Sequence, residues 1–141
     1  MGFIKKIDAR DAPHEIEIHR IAESYGFAPK ILNVREGNRK WFVEMEHFGD
    51  CSDLACMYGD KEEDIPEEIW EQIRDMVQTL FTEEGIEYLD VTPYNFVENK
   101  EGKLYMIDYG DARYYDESVG RDWFLQEFLD DEVNMWNPDF R

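Results

Sequence analysis

The chain has 141 residues, enough for one domain with a real hydrophobic core and too few for two ordinary ones. Hydrophobic residues make up 43% and aromatic residues 15%, which argues for a folded protein although 35% of the residues are charged. A formal net charge of -19 excludes a nucleic-acid binder, which needs clustered Lys and Arg, and obliges any polyanionic ligand to come with a divalent cation or to find a local lysine.

Residues 3–7 (Phe-Ile-Lys-Lys-Ile) read as a short strand, and residues 8–13 as a turn. Residues 14–25 read as a helix that puts Ile18, Ile21, Ala22 and Tyr25 on one face; Gly26 stops it, with Pro29 just beyond. Two strands follow, residues 30–34 and 41–48, joined by the turn chemistry of Glu36-Gly37-Asn38. Residues 51–57 suggest a short helix. After a charged loop, Pro66 opens the clearest helix, where Glu67 and Glu68 favour the positive end of the dipole and Ile69, Ile73, Met76, Val77 and Leu80 recur at helical spacing up to Gly85. Residues 95–97 and 104–107 flank Asn99-Lys100-Glu101-Gly102, a hairpin signal, and residues 121–133 read as a last helix. No internal repeat or linker divides the chain.

No run of about 18 apolar residues is present, so no membrane-spanning segment is expected. The N-terminus lacks the apolar core of a secretory signal, and Lys6 stands where a myristoylation signal carries Ser or Thr. The expectation is a soluble, cytoplasmic protein. Cys51 and Cys56 fit neither a redox pair nor a zinc knuckle, and the expectation for them is two reduced thiols. His14, His19 and His47 are scattered, without metal-ligand spacing.

The residues that point to chemistry lie in two acidic loops around the hairpin. The first is Tyr88-Leu89-Asp90-Val91-Thr92-Pro93-Tyr94-Asn95; the second is Ile107-Asp108-Tyr109-Gly110-Asp111. Asp90 precedes Asn95 by five residues, and Asn95 precedes Asp108 by 13. Each residue alone is ordinary turn chemistry. Together, with a helix before, a hairpin between and an apolar strand entering the second loop, they resemble the catalytic loop and the magnesium loop of the protein-kinase-like superfamily, with Tyr109 in place of Phe.

That resemblance implies an α+β, reduced two-lobe fold: a small N-terminal antiparallel sheet with one helix over residues 1–48, including the hinge, then a truncated, mainly helical half over residues 49–141. It implies Mg²⁺ and ATP as cofactors, Asp90 as the catalytic base, and Asn95 and Asp108 as hard oxygen ligands to the metal. It makes Met45 the gatekeeper of the base pocket, with the backbones of Glu46 and Phe48 bonding the base. Lys5 resembles the nucleotide-binding lysine. Its partner is Glu15 or Glu17, and Glu17, four residues before Ile21, is preferred.

The departures are equally specific. No glycine-rich phosphate loop is recognisable before Lys5; Tyr88-Leu89 stands where the superfamily has His-Arg; Thr92 replaces a lysine; and no peptide-binding segment follows Gly110. The functional expectation is therefore a minimal atypical kinase acting on a protein or small-molecule hydroxyl. The alternative is a pseudokinase that binds a protein partner or basic protein through its acidic surface, with an exposed sheet edge that invites a homodimer.

Overall fold

The computed structural model describes residues 2–140. A three-stranded antiparallel sheet opens the chain: β1 (Gly2–Asp8), β2 (Ile31–Arg35) and β3 (Lys40–Glu46), in the order β1-β3-β2. Phe3 lies opposite Met45 and Lys5 opposite Val43. Side chains alternate across a strand, so Phe3, Lys5 and Ile7 share one face of β1. The long helix α1 (Ala12–Ser24) runs against that sheet and starts two residues earlier than the sequence suggests, because Pro13 sits in its first turn, where a missing N–H costs nothing.

Helix α2 (Leu54–Met57) is a single turn, capped by the Asp53 carboxylate, which accepts from the Cys56 N–H at 3.2 Å. Cys51 and Cys56 are not reduced thiols: a disulfide joins them, with Cα atoms 5.4 Å apart. The turn of α2 folds the segment back and brings the two cysteines within bridging reach, which spacing alone does not reveal.

The expected long helix is α3 (Glu67–Glu84), closed by Gly85 at φ 65°, a left-handed conformation that glycine adopts without strain. Its buried face, Ile69, Trp70, Ile73, Met76, Val77 and Leu80, organises the main core. The predicted hairpin is present as β5 (Phe96–Glu98) and β6 (Leu104–Met106). A second pairing, β4 (Ile86–Glu87) with β7 (Arg113–Tyr114), escaped the sequence reading because each strand has only two residues.

The expected last helix is shorter: α4 (Trp123–Leu125) runs into one π-type turn, Gln126–Asp130. Phe124, Leu125, Phe128 and Leu129 bury themselves on the main core there, and Trp136 seals it against Trp70 with ring centroids 4.4 Å apart. Among the described residues no helix is long and apolar enough to cross a membrane.

Two hydrophobic clusters result. A small one beneath the sheet holds Ile7, Ala12, Ile31, Val43 and Met45; the large one is built on α3. Helix α1 contributes Ala12 to the first and Ile18 and Ala22 to the second, and so ties the sheet to the helical half. A cleft opens between them.

Candidate functional site

The cleft has a volume of about 340 Å³ and two chemically distinct ends. At the ionic end, the Lys5 ammonium from β1 bonds the Glu15 carboxylate from α1 at 2.5 Å and Asp108 Oδ1, from the loop after β6, at 3.3 Å. Burial pulls the Lys5 pKa down, but the bond to Glu15 and the charges of Asp108 and Glu15 outweigh it, and the net shift is upward. Asn95 lines the same end.

The preferred Glu17 is the wrong partner for Lys5. Its carboxylate accepts from the Tyr114 hydroxyl at 2.6 Å instead, and Glu15 takes the lysine. The reason is helical phase: Ala12, Glu15, Ile18, His19 and Ala22 form the buried face of α1, and Glu17 lies off it. Counting from Ala12 rather than from the half-buried Ile21 would have found Glu15.

Asp108 has φ 64°, which a non-glycine residue adopts only when its surroundings hold it there. Those surroundings are visible. The Gly110 N–H donates to Asp108 Oδ1 at 3.2 Å, and the Tyr88 hydroxyl donates to the Ile107 carbonyl at 2.6 Å. Tyr109 is fully buried, donating to the Met106 carbonyl at 2.9 Å and packing on His19 and Tyr88. A Cβ at Gly110 would stand 3.1 Å from Glu15 Oε1, so the glycine keeps room for the Lys5–Glu15 pair.

Asp90 sits deeper, 9% exposed, and does not line the cleft. Burial, then the charges of Asp108 and Asp111, push its pKa up to about 6 against the opposing pull of Asn95 and Lys5. Asn95 Nδ2 donates to the Asp90 carbonyl at 3.0 Å, which commits the amide nitrogen and turns its oxygen away from that bond. Among the described residues no group of three His, Cys, Asp or Glu side chains gathers as a metal site. The carboxylate of Asp108 and the amide oxygen of Asn95 are nevertheless the small, hard donor set that suits Mg²⁺ when phosphates and water complete its shell.

The other end of the cleft is apolar and aromatic, with Phe3, Met45, Phe48 and Val97 among its walls. The Glu46 N–H is already taken by the Lys30 carbonyl at 3.0 Å, and the Glu46 carboxylate accepts from the Lys30 N–H at 2.8 Å. The Phe48 N–H makes no hydrogen bond among the described residues, and its ring stacks on Tyr105 at 4.8 Å. Sequence reasoning missed Phe3 and His47, whose rings stack 6.0 Å apart, because an aromatic residue in a strand signals only sheet. Among the described residues Lys5 is the one Lys or Arg on the walls, against Glu15, Glu46, Asp50, Asp53 and Asp108.

No family model and no curated protein matches the sequence. Among solved structures the chain is similar to the kinase PK-1 of Cydia pomonella granulovirus, with a TM-score of 0.64 and 19% identity over 79% of this chain. The match spans 42% of that kinase, less than half its length. At this identity the likeness is one of fold: the chain has a kinase-like α+β fold.

Proposed function

We propose that the chain binds Mg²⁺–ATP in this cleft and transfers the terminal phosphoryl group to a hydroxyl. The observation that carries the reading is the convergence of Lys5, Glu15 and Asp108, from a strand, a helix and a loop far apart in sequence, at one end of a cleft whose other end is aromatic. A ligand with a flat ring and a polyphosphate tail fits those two ends.

In this reading Glu15 holds the Lys5 ammonium in place, and the ammonium meets phosphate oxygens. Asp108 and Asn95 would hold Mg²⁺, which neutralises the charge on the phosphates. Asp90 takes the proton of the attacking hydroxyl as the new O–P bond forms and the bond to the ADP oxygen breaks. With a pKa near 6, Asp90 is largely ionised at neutral pH and still basic enough for that task.

The charge balance of the walls favours a second reading. One ammonium, itself bonded to two of the five carboxylates, is a poor receptor for a phosphate tail. A kinase-like chain with weak or no phosphoryl transfer, docking a basic protein on its acidic surface, accommodates that balance.

The test is thermal melting with millimolar ATP, with and without Mg²⁺, for wild type and Asp108→Ala. A ligand of the folded state alone raises the melting temperature by mass action. A Mg²⁺-dependent rise in the wild type that is abolished in Asp108→Ala is expected. No rise in the wild type removes the nucleotide reading and leaves the docking one.

A further inference from the structure

The geometry points to Cys51 and Cys56 as a dithiol–disulfide exchange site that controls one wall of the cleft. Oxidised, the bond clasps that wall in place; reduced by a dithiol, it lets the wall loosen. The effect on binding rests on the nucleotide reading above, whereas the exchange itself does not. Both cysteines are exposed, so a reductant reaches the bond without opening the core. The bond closes residues 51–56 into one ring. Inside that ring lie Ser52 and Asp53, both walls of the cleft, and Leu54, fully buried in the main core.

The ring is stitched to both sides of the acidic machinery. The Glu98 N–H donates to the Ser52 carbonyl at 2.9 Å, and Asp53 bridges to Val97, so one side is tied to the hairpin. The Ala55 N–H donates to the Pro93 carbonyl at 3.2 Å, inside the loop that runs from Asp90 to Asn95. Helix α2 is a single turn, too short to hold its own shape, and its one side-chain cap is the Asp53 bond to the Cys56 N–H. The covalent bond therefore supplies the closure that α2 lacks. Gly49 and Gly59 flank the segment at φ 111° and 132°, backbone states that glycine enters and leaves freely. Opening the bond frees the segment between those two glycines, while the buried Leu54 keeps it attached to the core.

The exchange balances with a dithiol as the only co-reactant. One thiolate of the dithiol attacks a sulfur of the pair, the Cys51–Cys56 bond breaks, and a mixed disulfide forms. The second thiolate resolves it. Two electrons and two protons pass to the protein, which ends with two thiols, and the reagent leaves as its own disulfide.

The experiment equilibrates the full chain with reduced and oxidised dithiothreitol in set ratios and counts thiols by alkylation and mass. Hydrogen exchange and Mg²⁺–ATP calorimetry then compare the two forms. Thiols should appear in pairs, as one two-electron couple. The amides of Ala55 to Tyr58 and of Glu98 should exchange roughly tenfold faster in the reduced form, with α3 unchanged. Mg²⁺–ATP should bind the reduced form roughly tenfold more weakly, since its wall is in the binding form for a fraction of the time. The double variant Cys51→Ser/Cys56→Ser should match the reduced form and ignore dithiothreitol. Two free thiols without dithiothreitol, or equal exchange in the two forms, overturn the assignment. So does loss of α3 protection on reduction, because the bond would then support the whole fold rather than one wall. Equal Mg²⁺–ATP affinity in the two forms overturns control of the cleft. A wall that responds while neither form binds Mg²⁺–ATP upholds the clasp and removes the nucleotide reading instead.

Discussion

The two hydrophobic clusters differ in size and in what is mounted on them. The cluster under the sheet is Ile7, Ala12, Ile31, Val43 and Met45, without an aromatic ring among its buried members. The cluster on α3 buries Trp70, Trp136, Tyr88, Tyr109, Phe96, Phe124 and Phe128, each ring removing about 150–250 Å² from water. Asp90, Asn95 and Asp108 stand on loops anchored to the large cluster, whereas Phe3 and Lys5 stand on the thinly supported sheet. The acidic loops are therefore on the more heavily packed side, and Phe3 and Lys5 are on the side that opens at lower cost.

The comparison breaks first on core truncations. Trp70→Ala should cost about 4 kcal/mol and lower the unfolding midpoint of the whole chain, because Trp136 and Phe128 lose their partner together. Met45→Ala should cost about 2 kcal/mol, with the loss of hydrogen-exchange protection confined to β1, β2 and β3. Equal loss across α3 in the Met45 variant would show that the two clusters unfold as one.

Asp90 sharpens the comparison next, since burial against the large cluster is the first cause of its raised pKa. Its folded pKa, about 6, lies above its ordinary value of 3.8, so ionisation opposes folding. The penalty is absent below pH 4, grows as the pH rises from about 4 to about 6, and is constant above. Asp90→Asn should therefore be the more stable protein above pH 6, by roughly 1–2 kcal/mol after allowing for solvent at the carboxylate. The two proteins should converge below pH 4 in denaturant titrations without divalent cations. A less stable Asn variant at pH 7 would reverse the sign and sink the argument.

The smallest effect separates the neighbouring glutamates of α1. Glu15→Gln should lower the Lys5 pKa, followed by NMR of its Nζ, while costing under about 1 kcal/mol of stability because the lysine reaches solvent. Glu17→Gln should leave the Lys5 titration where it is, since only the Tyr114 bond is touched. Matching Lys5 titrations in the two variants would undo the assignment of Glu15.

Much of this molecule was legible in order along the chain. The 3.6-residue spacing of Ile69, Ile73, Met76, Val77 and Leu80 gave α3, and Asn99 to Gly102 gave the turn of the β5–β6 hairpin, because both signals are local. Asp90, Asn95 and Asp108 stood out by their spacing together with the helix, hairpin and strand around them, and the structure joins their loops where Tyr88 donates to the Ile107 carbonyl and the Ile107 N–H donates to the Asn95 carbonyl. The structure corrected the reading where partners come from elsewhere. Cys51 and Cys56 meet only because α2 folds back, and the residues at 121–133 widen into a π-type turn to bury four apolar side chains at once.

What the sequence determined by itself, then, is the set of periodic elements and the order of the acidic loops, since backbone geometry and turn chemistry act over a few residues. What the tertiary structure decided is who faces whom: Glu15 and not Glu17 on Lys5, Asp108 held at positive φ, Phe3 beside His47 over the cleft. Those choices depend on the phase of α1 against a sheet and a loop separated from it by up to about a hundred residues, and such phase is fixed by packing across the two clusters rather than by any neighbour in the chain.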